Sequence, residues 1–170
     1  MSVPPENSLD VEELFRVLAE HGVDYLVIGG VAAQVHGRRR TTKDLDVTPA
    51  SDPENFKRLA AALAILEAHP TSFGPGAPAP SAEQLSAAPI VPPLSTRHGE
   101  LHILNDVPGA DPYSEMRARS LTVEINGVAI QIVSVDDLIR MKRATGRPRD
   151  LEDVQAITAV SDSERSNPPM

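Results

Sequence analysis

Two glycines, followed about fifteen residues later by two aspartates, constrain the fold of this chain most strongly. The glycines are Gly29 and Gly30, and the aspartates are Asp44 and Asp46. The apolar run immediately before the glycines predicts a short buried strand, and a helix is predicted to follow them. This order of strand, glycines and helix predicts a tight turn at which a ligand can approach the backbone closely.

The residues around the aspartates predict a strand over residues 40–47 with one polar face. Alternation along that strand places four side chains on this face: Arg40, Thr42, Asp44 and Asp46. Two carboxylates so close raise each other's pKa unless water, a base or a metal ion compensates. Backbone N–H groups at the glycine turn can also approach a phosphate. The combination predicts Mg²⁺-dependent chemistry on a nucleotide; the alternative is two surface carboxylates on either side of a buried Leu45.

Composition limits the class of protein. The chain has 170 residues, no cysteine and a net charge of −8. This length allows one domain with a substantial core, and the lack of cysteine makes a reducing compartment the default. We find neither a leader pattern at the N-terminus nor an apolar stretch long enough to cross a bilayer. We therefore expect a cytoplasmic protein with no membrane partner.

Basic residues are concentrated in two places, although the chain as a whole is acidic. The overall charge argues against a general nucleic-acid coat. The first group precedes the aspartates and the second lies late in the chain: Arg38, Arg39, Arg40 and Lys43, then Arg140, Lys142, Arg143, Arg147 and Arg149. This pattern predicts a basic mouth on an acidic body, suited to a triphosphate or an RNA end; ordinary solvated faces are the alternative.

The order of the predicted elements indicates an α/β (α+β) fold, with a mixed sheet of four to five strands flanked by helices. A first helix over about residues 9–21 is expected to be capped by Asn7 or Ser8. A short helix over residues 31–36 follows the glycines, and residues 51–53 mark the start of another helix.

The second half of the chain predicts two hairpins and two helices. The hairpins centre on residues 97–99 and on Asn126-Gly127, which is the strongest short-range hairpin signal in the chain. Ser134 is expected to cap a helix that carries Lys142. A last helix is predicted over about residues 148–159.

A segment rich in proline and alanine separates the two halves. Residues 70–93 contain seven prolines and predict a loop, interrupted by a short helix over residues 81–87. Strands that the core requires lie on both sides of this loop, so we expect one domain over residues 1–160. Residues 161–170 are expected to form a flexible tail.

Two blocks of the chain resemble known enzymes. The glycine pair and the Asp-Leu-Asp segment are similar to the nucleotidyltransferase fold of the DNA polymerase beta superfamily, in which Gly-Gly or Gly-Ser precedes Asp-x-Asp. Residues 134–144 and 147–154 resemble the late block of the AbiEii/MenT-type toxin nucleotidyltransferases, in which a lysine-bearing helix precedes Arg-x-(Lys/Arg)-Asp-x-x-Asp. Together the blocks cover about a third of the chain, in the family's order.

The resemblance implies a function, a cofactor and partners. It implies an Mg²⁺-dependent toxin that transfers a nucleotide from an NTP to an acceptor, often the tRNA 3′ end, and so blocks translation. It also implies a cognate antitoxin protein. The scarcity of aromatic side chains predicts that any RNA contact is mainly to the backbone and sensitive to salt.

The resemblance also implies roles for particular residues. Asp44 and Asp46 hold one or two Mg²⁺ ions, and Lys142 contacts the triphosphate. Asp150 acts as a base or orienter for the attacking hydroxyl, with Asp153 a weaker candidate. Four further residues are expected to bind the nucleotide: Gly29, Gly30, Arg40 and Thr42. The alternatives are plain pairing with the aspartates for Arg40 and Thr42, an ion pair with Arg147 or Arg149 for Asp150, and a helix-surface position for Lys142.

The chain departs from the superfamily at one position. Many members place a third carboxylate on a central strand, where this chain has His102, with Glu100 two residues earlier. Three interpretations stay open: Glu100 or His102 supplies the third ligand, two aspartates suffice, or the enzyme is inactive.

Two other functions are compatible with the sequence. A nucleotidyltransferase acting on a small molecule, such as an aminoglycoside, fits the acidic charge, although no extra helical domain to hold a drug is evident. A catalytically silent binding module fits the substitution by His102, but not the presence of both aspartates with Lys142 and Asp150.

Overall fold

The computed structural model describes residues 8–167, and within them it contains seven helices and seven strands. None of these helices is both long and apolar enough to cross a membrane. The helices are α1 (Val11–Glu20), α2 (Gly29–Val35), α3 (Pro53–Ile65), α4 (Ala82–Ala87), α5 (Tyr113–Arg119), α6 (Val135–Thr145) and α7 (Pro148–Ser166). The strands are β1 (Tyr25–Ile28), β2 (Asp44–Pro49), β3 (His69–Pro70), β4 (Leu94–Thr96), β5 (Gly99–Ile103), β6 (Leu121–Ile125) and β7 (Val128–Ile132).

The strands form one mixed sheet in the order β3-β4-β5-β2-β1-β7-β6. Two of the central pairs, β2 with β5 and β1 with β7, are parallel, and the other pairs are antiparallel. The predicted class is confirmed, but the prediction of four to five strands is too low. The excess lies at the edges, where β3 has only two residues and is fixed solely by its pairing with β4.

The central strands are buried on both faces, as their apolar runs predict. All four residues of β1 are buried, and so are Leu45, Leu101 and Ile103 on the neighbouring strands. The apolar side chains of α1 and α3 also lie in this core: Leu14, Phe15 and Leu18, then Phe56, Leu59 and Leu63, with Leu66 directly after α3. Helix packing therefore fixes the sheet edge at which the polar residues collect.

Several local predictions are confirmed. Asp52 caps α3 through its side chain, with Pro53 in the first turn. Ser81 and Gln84 form a capping box for the short α4 within the proline-rich segment. Asn126-Gly127 joins β6 to β7, with both residues at positive φ as the hairpin turn requires.

Four boundaries differ from those predicted. Asp10, not Ser8, caps α1, and Asn7 lies outside the described residues. Helix α2 begins at Gly29 rather than at residue 31. Strand β2 begins at Asp44, because the preceding residues form a loop: the Gln34 side-chain amide donates a 2.7 Å hydrogen bond to the carbonyl of residue 40.

Helix α7 continues to Ser166 rather than ending near residue 159. Its late residues pack on the end of α2, where a Cβ on Gly37 would lie 2.8 Å from Val160 Cγ2. The predicted flexible tail is therefore helical over its first residues, and residues 168–170 lie outside the described part of the chain.

A buried carboxylate fixes the start of α6. Asp137 is fully buried and receives hydrogen bonds from Arg119 (3.1 and 2.8 Å), Arg140 (2.7 Å) and the hydroxyl of Ser134 (2.9 Å). Burial raises the pKa of Asp137, but the hydrogen bonds from Arg119 and Ser134 outweigh it, so this pKa lies below its usual value. The ionised carboxylate thus links α6 to α5.

We expect Asp137→Asn to lower the free energy of unfolding by about 1–3 kcal/mol near neutral pH, because hydrogen bonds to a charged group are lost. A lowered folded-state pKa stabilises the protein above the unfolded pKa, and this contribution is lost as pH falls through the folded value. The difference between the two proteins should therefore decrease below about pH 4. Urea unfolding across this pH range measures it.

Asp111→Asn is the matched control. Asp111 contacts the same two arginines, at 2.7 Å each, but it is more than a third exposed. This substitution should cost less than about 1 kcal/mol. If both variants lost the same free energy of unfolding, burial of Asp137 would not determine its contribution to stability.

Candidate active site

A cleft of about 650 Å³ opens at the edge of the sheet where β1 ends and β2 begins. Its walls come from the turn between β1 and α2, the loop before β2, strand β5, helix α6 and the start of α7. All eight residues predicted for the site line it: Gly29, Gly30, Arg40, Thr42, Asp44, Asp46, Lys142 and Asp150. The fold therefore brings the two blocks of the sequence together in one cavity.

The glycine turn lies directly against the second aspartate. Antiparallel pairing sets Ile28, the last residue of β1, opposite Asp46. Gly29 then adopts a φ of +66°, and a Cβ on it would lie 2.0 Å from Asp46 Oδ2. Neither the conformation nor the space admits a side chain, so glycine is required at this position.

The second glycine makes room for the loop before β2. A Cβ on Gly30 would lie 2.9 Å from Thr42 Oγ1. The same hydroxyl lies 3.2 Å from the Asp44 carbonyl and 3.2 Å from its Oδ1. Thr42 thus contacts the predicted metal-binding carboxylate from the loop, not from the strand position that alternation predicted.

An imidazole completes a group of three potential ligands. Parallel pairing of β2 with β5 sets Asp46 beside His102 and Asp44 beside Glu100. One donor atom from each of Asp44, Asp46 and His102 lies within 4.8 Å of the others. His102 Nδ1 lies 3.0 Å from Asp46 Oδ1 and 3.7 Å from Asp44 Oδ2, while its Nε2 lies 3.0 Å from Glu100 Oε1.

The carboxylates change the charge of this histidine. The hydrogen bond to Asp46 raises the pKa of His102 to about 9; partial burial opposes this, and the hydrogen bond to Glu100 adds to it. The imidazolium therefore supplies positive charge beside the two aspartates at neutral pH. A base that offsets the repulsion between Asp44 and Asp46 is one of the possibilities raised by the sequence.

The three side chains also fit a divalent cation. Carboxylate oxygens and an imidazole nitrogen are common ligands of divalent metals in proteins. The side chains of Asp44, Asp46 and His102 are 32%, 19% and 27% exposed, so all three are accessible from the cleft. Of the three possibilities left open by the sequence, the geometry favours a third ligand on β5.

The opposite wall contains a cluster of ion pairs around two buried carboxylates, formed between α6, α7 and the loop after α2. Lys142 Nζ lies 2.7 Å from Asp153 Oδ2 and 3.7 Å from Asp150 Oδ1. Arg38 Nε lies 2.5 Å from the other Asp153 oxygen, and Arg147 Nε lies 2.8 Å from Asp150 Oδ2. Asp153, a weak candidate in the sequence, is the centre of this cluster.

These contacts bear on the roles predicted for Lys142 and Asp150. Lys142 is buried rather than on the helix surface, with its ammonium between two carboxylates. Burial raises the pKa of Asp150, but the hydrogen bond from Arg147 and the charge of Lys142 lower it overall. A depressed pKa weakens a base, so the contacts of Asp150 favour the orienting role over proton transfer. Both catalytic roles stay predictions.

Two arginines in the cleft have hydrogen-bonding capacity left over. Arg40 lies 3.5 Å from Glu152 and 3.7 Å from Asp153. Among the described residues, its Nε and Nη2 have no hydrogen-bond partner, and neither does Nη2 of the buried Arg38. Buried donors without partners are costly, so this part of the cleft is suited to an anion.

Sequence reasoning missed Arg38 as an individual site residue. Its signal was present only as one member of a basic run beside Gly37. Asp153 carried a stronger signal, because it follows Asp150 by three residues and so lies one helical turn away. His102 was named, but a lone histidine gave no reason to choose it over Glu100.

Known proteins support the fold predicted from the sequence. LnuA, a lincosamide antibiotic adenylyltransferase, is similar with a TM-score of 0.59 and 15% identity, over 91% of this chain and 99% of LnuA. The antibiotic-resistance factor ANT(2'')-Ia has a TM-score of 0.52 and 14% identity, over 92% of this chain and 89% of its own. An antigenic nucleotidyltransferase-like protein from Paracoccidioides brasiliensis has a TM-score of 0.50 and 17% identity, over 94% of this chain and 91% of its own. At these identities the likeness shows the fold alone.

The sequence itself matches a protein family. No curated protein is matched. The family described as "Nucleotidyltransferase of unknown function (DUF6036)" matches residues 7–164. Because this match spans almost the whole chain, the protein belongs to that family and is a nucleotidyltransferase, an enzyme that transfers a nucleotide from an NTP to an acceptor.

Proposed function

We propose that this cleft transfers a nucleotide from an NTP to the 3′ end of a tRNA, with Asp44 and Asp46 as metal ligands. One observation carries the proposal: the two carboxylates and His102 converge beside the Gly29 backbone, in a cleft whose opposite wall is basic. Such a site has anionic ligands for a metal on one side and cationic groups for phosphates on the other.

The metal-binding side is built by β2 and β5. Asp44 and Asp46 would hold one or two divalent ions, Mg²⁺ being the ion that the family resemblance implies. A bound divalent ion neutralises charge that develops on the phosphate oxygens during transfer. Gly29 keeps Asp46 accessible, because any side chain there would occupy the position of its Oδ2.

The phosphate-binding side is built by the glycine turn and the two arginines. Backbone N–H groups of Gly29 and Gly30 can approach a phosphate because neither residue has a Cβ. Arg38 and Arg40 have donors without partners in the same cleft. These donors are buried, so a movement of the two side chains would present them to a triphosphate, which would also bring compensating charge to the basic wall.

The buried cluster on the opposite wall positions these groups. Asp153 contacts both Arg38 and Lys142, so it fixes the side of the cleft on which Arg38 presents its free donor. Asp150 is held by Arg147 and could orient an attacking hydroxyl at the cleft rim. In-line transfer depends chiefly on such positioning.

Exposed basic residues at the mouth favour a polyanionic acceptor. Lys43, Arg147 and Arg149 line the cleft and are exposed, which suits the backbone of an RNA end better than a cationic drug. A toxin acting on tRNA in this way would require a cognate antitoxin, as the resemblance implies.

A second candidate acceptor is a small molecule, and one observation favours it. The expectation that a drug requires an extra helical domain counted against this function. LnuA, however, has lincomycin bound, and 99% of its chain aligns with this fold. The fold alone therefore does not require a further domain for a small acceptor.

Incubation with each α-labelled NTP and a divalent metal tests the proposal, using total tRNA, a lincosamide and aminoglycosides as separate acceptors. We expect label on tRNA, and a decrease of at least roughly 100-fold in Asp46→Asn, because a metal ligand is lost. Asp162→Asn, an exposed substitution on α7 outside the cleft, should leave labelling unchanged. Label on a drug alone would replace the tRNA assignment, and no label on any acceptor would contradict the proposal.

The salt dependence of tRNA labelling should show whether the exposed basic residues at the mouth of the cleft bind RNA phosphates. With about three phosphate contacts, kcat/KM should fall on the order of tenfold between about 50 and 200 mM salt. Lys43→Ala should reduce the slope of log kcat/KM against log salt by about 0.7, since one contact is lost. A slope near zero in the wild-type protein would exclude an acceptor bound through its phosphates.

Gly29→Ala should abolish transfer, because its Cβ would displace the carboxylate of Asp46. Gly127→Ala is the matched control: Gly127 also has positive φ (+79°), but nothing lies within 4 Å of a Cβ there. Both variants should lose about 1–2 kcal/mol of stability from the left-handed backbone, while only Gly29→Ala loses activity. Retained transfer in Gly29→Ala would show that the contact with Asp46 is not needed for catalysis.

A further inference from the structure

A continuous line of close polar contacts joins β5 to β2 in the cleft. It runs from Glu100 through the imidazole of His102 to Asp46, with both distances at 3.0 Å. Glu100 and His102 lie two residues apart on one strand and so share a face, and the register of β5 sets that face beside the aspartates. The imidazole is thus held at both of its nitrogens.

We infer that His102 Nδ1 is the third metal ligand, that Glu100 orients it, and that this site prefers a first-row transition ion such as Mn²⁺ to Mg²⁺. The inference rests on the proposed function, since it concerns the metal that supports nucleotide transfer. It goes beyond that proposal in assigning the third ligand, the residue behind it and the metal preference.

The two ring nitrogens have different surroundings. Nδ1 faces the carboxylates of Asp46 and Asp44, whereas Nε2 faces only Glu100. Histidines that bind metals usually donate their other ring N–H to a carboxylate, which fixes the tautomer and the orientation of the ring. With the Nε2 proton donated to Glu100, a metal ion that replaces the Nδ1 proton would be bound by the Nδ1 lone pair beside the aspartates.

The spacing of the donor atoms fits a shared cation. Two ligands at right angles on a metal, each about 2.1 Å away, lie roughly 3 Å apart. The separation of His102 Nδ1 and Asp46 Oδ1 is 3.0 Å, and that of Nδ1 and Asp44 Oδ2 is 3.7 Å. A small movement of Asp44, which is partly exposed on the strand end, brings all three into one coordination sphere.

The donor set determines which metal is favoured. Two carboxylates with a neutral imidazole carry one negative charge fewer than three carboxylates. Mg²⁺ is a hard cation that prefers oxygen ligands and gains most from charge. Imidazole suits the later divalent ions, whose affinity for nitrogen ligands rises along the first transition row. Exchange of a carboxylate for His102 therefore weakens Mg²⁺ more than Mn²⁺.

The test measures metal binding directly, with no nucleotide or acceptor present. The electron paramagnetic resonance signal of free Mn²⁺ gives the Kd for Mn²⁺, and competition gives the Kd for Mg²⁺, at one fixed pH. In His102→Asp we expect the ratio of the Mg²⁺ Kd to the Mn²⁺ Kd to fall about tenfold or more. Glu100→Ala should weaken Mn²⁺ binding by about 10–100-fold, as loss of an outer-shell partner does.

His69→Asp is the control for an added carboxylate, because His69 lies on the edge strand β3 and does not line the cleft. It should leave both Kd values unchanged. Thermal melting without metal verifies that each variant is folded, and Glu100→Gln provides a second variant of similar size. The inference would be overturned if the ratio of the Mg²⁺ Kd to the Mn²⁺ Kd were unchanged in His102→Asp. It would also be overturned if the Kd for Mn²⁺ were unchanged in both Glu100 variants.

The result is separable from the proposed function. Metal binding that depends on His102, together with no transfer to any acceptor, would sustain the inference and refute the enzyme's assigned substrates. If transfer is lost in Asp46→Asn but unchanged in His102→Asp, the proposed function stands and the role of His102 is refuted.

Discussion

The contact between Gly29 and Asp46 is the constraint on which the rest of the cleft depends. Antiparallel pairing sets Ile28 opposite Asp46, and the left-handed glycine then turns the chain so that no side chain stands in front of the carboxylate. On one side, parallel pairing of β5 adds His102. On the other, the missing Cβ of the next glycine lets the loop bearing Thr42 pass close by. One turn without side chains thus positions groups from three separate segments.

Charge compensation is the second constraint, and it links the two walls of the cleft. Asp153 is buried between Arg38 and Lys142, which come from the loop after α2 and from α6. Removing Asp153 would leave the buried charge of Arg38 without its carboxylate partner, which is strongly destabilising. The cluster therefore fixes α6 and α7 against the loop after α2. Fixed charges of this kind can stabilise a transition state without rearranging.

Those features of the site that have local causes were predictable from the sequence. The turn at Gly29 and the shared face of Asp44 and Asp46 follow from glycine conformation and strand alternation. Alternation could not show that the strand begins only at Asp44, because a polar loop and a polar strand face look alike. The pairing of Arg38 with Asp153, the length of α7 and the two-residue β3 depend on tertiary contacts between distant segments, and local patterns carry no signal for these.

An imidazole at the third position is physically different from a missing carboxylate. Three carboxylates at one strand edge repel one another unless a metal is bound, so the apo site would be strained. With His102 between Glu100 and Asp46, the single positive charge of the imidazolium offsets part of the negative charge of these carboxylates. A metal ion held by Asp44, Asp46 and His102 would bind the neutral imidazole in place of that proton. Positive charge therefore stays beside Asp44 and Asp46 in either state, and the geometry of the site is preorganised rather than assembled by the metal.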